Sequence, residues 1–337
     1  FFCAMTRPTP LLPPQEDAPN PLAPQHGPRP LPLFLAHLWR ETENDPILRR
    51  KALQGLRAYQ RASRLIDAYE RPVYSQCGAA RLLRIGDALE SGHAAVILIP
   101  SLINPPHILD MGREMSLARY LEARGHDPWL VDWGTPAPEE REMDLGNHIT
   151  QRLLPLLDAL DQPFILVGYC LGGTIALAAA QHKAPAAVVT IAAPWRFDRY
   201  TDEDRAVIAK LWADAQPLCE RLGYVPMEIL QSGFWALDTA RTVRKYAAFA
   251  DMEAGSEGAI AFMAVEDWAN DGPPLTYAAA RELFEDLYAA NHTGDARWTV
   301  GGRAIDLAAL TCPSLSIRSA TDRIVPASVS PLLRDNH

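Results

Sequence analysis

The stretch that most limits what this chain can fold into is Val167-Gly168-Tyr169-Cys170-Leu171-Gly172-Gly173-Thr174. A short apolar run of β-formers, Pro163 to Val167, leads into it, and the alanine-rich segment Thr174 to Ala180 follows as a buried helix. A strand that gives way to a helix through a glycine-flanked turn is the nucleophile elbow, G-x-S-x-G, here with Cys170 where serine usually stands. Glycines two residues to either side let strand and helix approach closely around a strained turn. A thiol at a helix N-terminus faces orphan N–H groups and the positive end of the dipole, which predicts a Cys170 pKa below the free value of about 8.5. The Leu171 N–H is the expected half of an oxyanion hole. Taken alone, the five-residue pattern also suits a small buried cysteine without chemistry; the flanking strand and helix favour the nucleophile.

A chain of 337 residues holds one large α/β domain, or one domain with an insert. With 48% hydrophobic and 22% charged residues it has material for a sizeable core. A net charge of −9 argues against a dedicated nucleic-acid binder. The five cysteines (Cys3, Cys77, Cys170, Cys219, Cys312) are odd in number and scattered, with no C-x-x-C pair. That usage predicts a reduced, cytoplasmic protein with neither a disulfide framework nor a metal site. No apolar run approaches the roughly 18 residues of a transmembrane helix, and the start lacks the basic and apolar regions of a signal peptide, with Met5 read as the true start.

In chain order, residues 1–32 read as a proline-rich mobile arm and 33–79 as an N-terminal helical segment. From Pro46 to Asp67 the apolar residues Ile47, Leu48, Leu53, Leu56, Tyr59 and Leu65 fall near one helical face, opposite a basic face that includes Arg49, Arg57 and Arg64. This helix is expected to pack on the main domain with its arginines in solvent; the other reading lays it on an anionic surface. Strand runs follow at Arg81–Ile85 (an expected sheet edge), Ala94–Pro100, Pro128–Trp133, Pro163–Val167, Ala187–Ala192 and Ser314–Ile317. Buried apolar strands alternating with helices predict a mostly parallel sheet covered on both faces, the α/β-hydrolase arrangement. The first segment of that core is placed at 80–193, a helical, aromatic-rich cap insert at 194–302, and the closing segment of the core at 303–337.

Elbow enzymes place nucleophile, acid and histidine in that chain order. Asp322, in the turn Ser319 to Pro326 after the last strand, is the candidate acid. No strand run remains to deliver a histidine after it, so His337 is not read as the base, and the chain is read as truncated or frame-shifted at this end. His107, near the loop after Pro100, is the one substitute considered. An unassisted thiol keeps only a few per cent thiolate at neutral pH.

Several stretches together resemble the polyhydroxyalkanoate (poly-3-hydroxybutyrate) synthases. Gly168 to Thr174 is similar to their lipase-like box with cysteine in place of serine, and Pro100 to Asp110 to the loop that contributes to their oxyanion hole. Trp129 to Gly134, Ala192-Ala193-Pro194-Trp195, the run Asp267-Trp268-Ala269-Asn270-Asp271 with Pro273, and Asp322 with Ile324-Val325-Pro326 also fit. The resemblance implies an acyltransferase in which Cys170 takes the acyl group of a 3-hydroxyacyl-CoA as a thioester and passes it to a growing polyester. It further implies Asp322 as the acid, the Leu171 and Ile103 amides as oxyanion donors, and Asn104, Trp268 and Asp271 as substrate and cap residues. No cofactor is implied beyond the coenzyme A carried by the substrate. The length suggests the short type, with a second synthase subunit or a homodimer as partner, at the surface of polyester granules. Two departures stand out: the absent histidine segment, and Pro105-Pro106-His107 in place of the more usual aromatic pair. Two rivals remain open: a cysteine-dependent hydrolase (thioesterase, esterase or dienelactone-hydrolase-like), and a catalytically dead granule-binding homologue.

Overall fold

The computed structural model describes residues 26–64, 71–86, 94–112 and 115–333. Most of the arm (1–25), Leu65, His93 and His337 lie outside the described residues. Two helices, α1 (Leu31–Glu41) and α2 (Pro46–Arg61), precede a sheet whose first strands are β1 (Val73–Cys77), β2 (Ala80–Arg84) and β3 (Ala95–Ile99). After α3 (Leu117–Glu122) come β4 (Asp127–Asp132), the short helices α4 (Leu145–His148) and α5 (Leu154–Asp158), then β5 (Phe164–Tyr169), α6 (Leu171–His182) and β6 (Ala187–Ile191). The insert carries α7 (Asp202–Leu222), β7 (Tyr224–Val225), α8 (Met227–Leu237), α9 (Thr239–Phe249), α10 (Glu257–Ala269), β8 (Leu275–Thr276) and α11 (Tyr277–Arg281). A small hairpin, β9 (Thr299–Val300) with β10 (Arg303–Ala304), leads to β11 (Ser314–Ile317).

Seven strands form one sheet in the order β1-β2-β4-β3-β5-β6-β11. β3, β4, β5, β6 and β11 are parallel, whereas β1 and β2 join antiparallel at one end. The strand at Arg81 is therefore not the edge, contrary to the sequence expectation: β1 lies outside it, paired from Ser75 opposite Leu82 to Cys77 opposite Ala80, with a register shift between Val73 and Ser75. β1 escaped notice because Val73-Tyr74-Ser75-Gln76-Cys77 is mixed in polarity, as suits a strand with an exposed face. The central strand β3 is buried along its whole length, so Ala95-Val96-Ile97-Leu98-Ile99 reads as a continuous apolar run rather than an alternating one. The sheet order, the parallel core and the strand–elbow–helix at β5–α6 make this an α/β-hydrolase fold.

The N-terminal helices dock on the insert, not on the main domain. Phe34, Leu38, Ala52, Leu56 and Tyr59 share one core with Trp235, Tyr246 and Phe249. Gly55 permits the close crossing of α2 and α9, since a Cβ there would stand 1.8 Å from the Tyr246 carbonyl oxygen. The buried face of α2 is thus Ala52, Gly55, Leu56 and Tyr59, and Ile47 is 78% exposed, because the glycine sets the crossing line. Some of the basic face is also committed. Lys51 pairs with Asp251, and Arg64 donates to Asp267 from Nε at 2.8 Å and Nη2 at 2.9 Å. Tyr59 donates its hydroxyl proton to the same carboxylate, and His26 stands 3.4 Å away. Burial pushes Asp267 up, yet the Arg64 and Tyr59 hydrogen bonds outweigh it and hold the carboxyl below its usual range. Arg64→Ala is expected to cost about 2 kcal/mol, since it strands a half-buried carboxylate. Asp267's contribution is present above its ordinary pKa and lost as pH falls below it. Urea unfolding at pH 7 and pH 3.5 checks both statements: the variant's deficit should shrink at the lower pH.

Candidate active site

β5 ends at Tyr169 and α6 begins at Leu171, leaving Cys170 alone in the turn at φ 53° and ψ −129°. This left-handed conformation is costly for a residue with a Cβ. It is held by the Cys170 N–H donating to the Ile191 carbonyl at 2.9 Å and the Cys170 carbonyl accepting from Gly173 N–H at 2.8 Å. The flanking glycines are obligatory on steric grounds. A Cβ on Gly168 would sit 2.3 Å from the Gly172 carbonyl oxygen, and one on Gly172 would sit 2.1 Å from that of Ile99. The same crowding lifts Cys170 out of the strand and aims it into an open cavity.

That cavity has a volume of about 380 Å3, and Cys170, Tyr169, Ser101, Asn104, Trp268 and Asp322 all reach its wall. Asp322 is fixed by an Asx turn, its Oδ1 accepting from Ile324 N–H at 2.9 Å and Val325 N–H at 3.0 Å. Cys170 and Asp322, the two residues the sequence singled out, thus line one cavity although they are far apart in the chain. The α8–α9 corner of the insert closes the other side with Phe234, Asp238, Arg241 and Lys245. Lys245 is paired with Glu266 at 2.5 Å.

The electrostatics correct one expectation. Burial pushes the Cys170 thiol up to about 11, the Leu171 N–H bonded to it draws it down, and the nearby Asp322 charge raises it again. The helix N-terminus does act on the sulfur, but desolvation by the cavity walls wins. At pH 7 this leaves roughly one thiolate in ten thousand. Iodoacetamide alkylation of Cys170 is accordingly expected to rise about tenfold per pH unit from 7 to 10, where a free thiol levels off near 9; peptide-resolved mass spectrometry measures it, and a plateau below pH 9 contradicts the burial argument.

The other candidates fall into two groups. Leu171 carries the first N–H of α6, beside the sulfur. The Ile103 N–H donates to Ser101 Oγ at 3.1 Å, and Ile103 itself lines a second, apolar cavity behind the first. Asn104 lines the nucleophile cavity and donates from Nδ2 to the Asp271 carbonyl at 3.4 Å. Asp271 points away, its Oδ1 accepting from Gly272 N–H, and is absent from the cavity wall. Trp268 donates from Nε1 to the Pro105 carbonyl at 2.9 Å and so ties the insert to the loop after β3. Trp268→Ala is expected to destabilise by about 2 kcal/mol and to slow reaction at Cys170 more than Trp39→Ala does, Trp39 being 63% exposed. Urea midpoints and labelling rates of the two variants decide the order.

Among the described residues no histidine lines the cavity. His107 lies on the turn Pro106–Leu109 outside its wall, and the His148 ring hydrogen-bonds the Asp144 carbonyl at 2.7 Å. No group of three or more metal-ligating side chains is found among the described residues. Sequence reasoning missed Ser101 and the α8–α9 residues. Ser101 stood within a quoted motif, whereas Phe234 and Arg241 lie in α8 and α9, and Asp238 at the corner between them, where the pattern carries no catalytic signal.

The site and sheet define an α/β-hydrolase fold with a cysteine in its elbow and a helical insert over it. No family model matches the chain. Among curated proteins it is 28% identical over 269 residues to a poly(3-hydroxyalkanoate) polymerase subunit from Haloferax mediterranei, covering 76% of this chain and 54% of that protein. The subunit of the same name from Haloarcula marismortui is 27% identical, with 73% and 54% covered, and that from Allochromatium vinosum 26% identical, with 73% and 71% covered. The chain is thus related to poly(3-hydroxyalkanoate) polymerase subunits, as its motifs suggested, and spans about half the length of the first two. Solved structures similar to it include a meta-cleavage product hydrolase from Pseudomonas fluorescens (TM-score 0.39, 15% identity, 76% of this chain and 83% of that one). A hydrolase from Pseudomonas aeruginosa follows at TM-score 0.40 and 18% identity, with 78% and 85% covered.

Proposed function

We propose that this protein is an acyltransferase that builds polyhydroxyalkanoate from 3-hydroxyacyl-CoA through a thioester on Cys170. The observation that carries the reading is the strained, cavity-facing Cys170 with Asp322 on the same wall, in a chain related to poly(3-hydroxyalkanoate) polymerase subunits. The Cys170 sulfur attacks the acyl carbon, the Leu171 N–H steadies the oxyanion, and the coenzyme A thiolate leaves. The 3-hydroxyl of the chain end or of a second acyl group then attacks the thioester carbonyl, Asp322 helping to activate that hydroxyl by taking its proton, and the Cys170 sulfur leaves. The proton on Sγ needs an acceptor, and Asp238 and Asp322 are the carboxylates on the cavity wall. The insert acts as the cap. No cofactor is used beyond the coenzyme A of the substrate, and the working partners are the polyester surface and a second synthase subunit or second copy. Among the described residues no helix is long and apolar enough to cross a membrane.

A second reading, a catalytically silent homologue at the granule surface, is favoured by one observation: the raised thiol pKa in a cavity without imidazole among the described residues. Incubation with 3-hydroxybutyryl-CoA separates the outcomes. Insoluble polymer supports the synthase, free 3-hydroxybutyrate means water is the acceptor and the chain is a hydrolase, and intact substrate supports the silent reading.

A further inference from the structure

Ser101, Gln231 and Thr242 are polar residues on the wall of the nucleophile cavity that are buried. Two of them are committed within the protein. Ser101 Oγ accepts from Ile103 N–H at 3.1 Å, and Thr242 Oγ1 donates to the Asp238 carbonyl at 3.0 Å. Gln231, only 5% exposed, has no side-chain hydrogen bond to any described residue. It belongs to the stripe Gln231, Phe234, Trp235 that α8 turns toward the cavity at helical spacing, so its amide borders that space. An amide removed from bulk water without a partner is destabilising, and native proteins seldom leave one so. A primary amide carries two N–H donors and an acceptor oxygen, which suits a neutral hydroxyl.

We propose that Gln231 hydrogen-bonds the 3-hydroxyl of the acyl group carried by Cys170, and so makes the site choose 3-hydroxyacyl thioesters over those that lack the hydroxyl. The inference rests on Cys170 being the acyl acceptor, and it adds the residue that reads the hydroxyl. Such an acyl group has two oxygens. The carbonyl oxygen faces the Leu171 N–H beside the sulfur, which leaves the hydroxyl for the α8 side of the cavity. At about 380 Å3 the cavity is near the small end of ligand pockets, which run from roughly 300 to 1,000 Å3, so a group held at Cys170 meets that wall. A substrate without the hydroxyl leaves the amide stranded, a loss of roughly fivefold to a hundredfold in rate.

3-Hydroxybutyryl-CoA and butyryl-CoA differ only in that hydroxyl. With either, the bond from Cys170 Sγ to the acyl carbon forms, the bond from that carbon to the coenzyme A sulfur breaks, and the thiol proton ends on coenzyme A. Single-turnover rates are read as acyl group on the Cys170 peptide by mass spectrometry, with the protein in excess. Wild type should be acylated at least fivefold faster by 3-hydroxybutyryl-CoA. Gln231→Met, close to glutamine in length and volume, should bring the two rates within about twofold by slowing the hydroxylated substrate. Its urea midpoint should equal or exceed that of wild type, because no internal hydrogen bond is lost. Equal rates in wild type, or a wild-type ratio in Gln231→Met, overturn the inference. So does a variant slowed equally with both thioesters, which places Gln231 on the coenzyme A portion they share, and so does a clearly lower urea midpoint, which reveals an internal partner. Acylation of Cys170 by neither thioester overturns the functional reading, and the inference with it.

Discussion

Cys170→Ala should abolish acyl transfer from 3-hydroxybutyryl-CoA, and Cys170→Ser should lower it by roughly a thousandfold or more. The serine result is the more telling. A wall that lifts a thiol to about 11 disfavours an alkoxide far more strongly, since a hydroxyl starts with a much higher pKa. Serine fits the turn as well as cysteine does, because the φ of 53° is imposed by the Ile191 and Gly173 hydrogen bonds rather than by the side chain. Circular dichroism and urea midpoints of both variants should match wild type, with the change confined to coenzyme A release measured by chromatography. Wild-type release from Cys170→Ala would remove the nucleophile from the account.

Gly172→Ala has the largest expected effect on the fold itself. Its Cβ would meet the Ile99 carbonyl oxygen at 2.1 Å and that of Pro100 at 2.5 Å, both backbone atoms at the end of a fully buried central strand. Neither can swing aside as a side-chain tip could, so α6 must lift from β3 or the turn must open. A cost of about 3 kcal/mol or more follows, to be read from urea unfolding. The glycine's general helix penalty would predict the reverse sign, a small gain from alanine. A stabilised Gly172→Ala would show that the elbow is looser than this packing requires.

Much of this was legible in the residues. The elbow needs glycine at 168 and 172 for a steric reason that any sequence bearing it must share, so β5, the turn and α6 could be placed before the fold was known. The buried parallel strand at Ala95 was readable because a strand covered on both faces reads as an unbroken apolar run. Asp322 could be chosen because the acid of an elbow enzyme follows a late strand, and β11 ends at Ile317 shortly before it. What failed to read depended on contacts between distant segments. The docking of α2 on α9 turns on Gly55 meeting the Tyr246 backbone, and nothing in the helical pattern of Pro46–Arg61 reports that. The thiol pKa went the wrong way for a similar reason. The helix N-terminus is visible in sequence, but the desolvating walls come from the insert and the Asp322 turn.

The central claim is that the Cys170 sulfur is the atom that carries the acyl group. Incubation with 3-hydroxybutyryl-CoA at pH 9, acid quenching and peptide-resolved mass spectrometry test it most directly. The account predicts one 3-hydroxybutyryl group or a short oligomer of it on the peptide containing Cys170, removed by hydroxylamine and missing from Cys170→Ala. An acyl group found only on another residue, or an unmodified Cys170 that iodoacetamide labels readily under the same conditions, contradicts it.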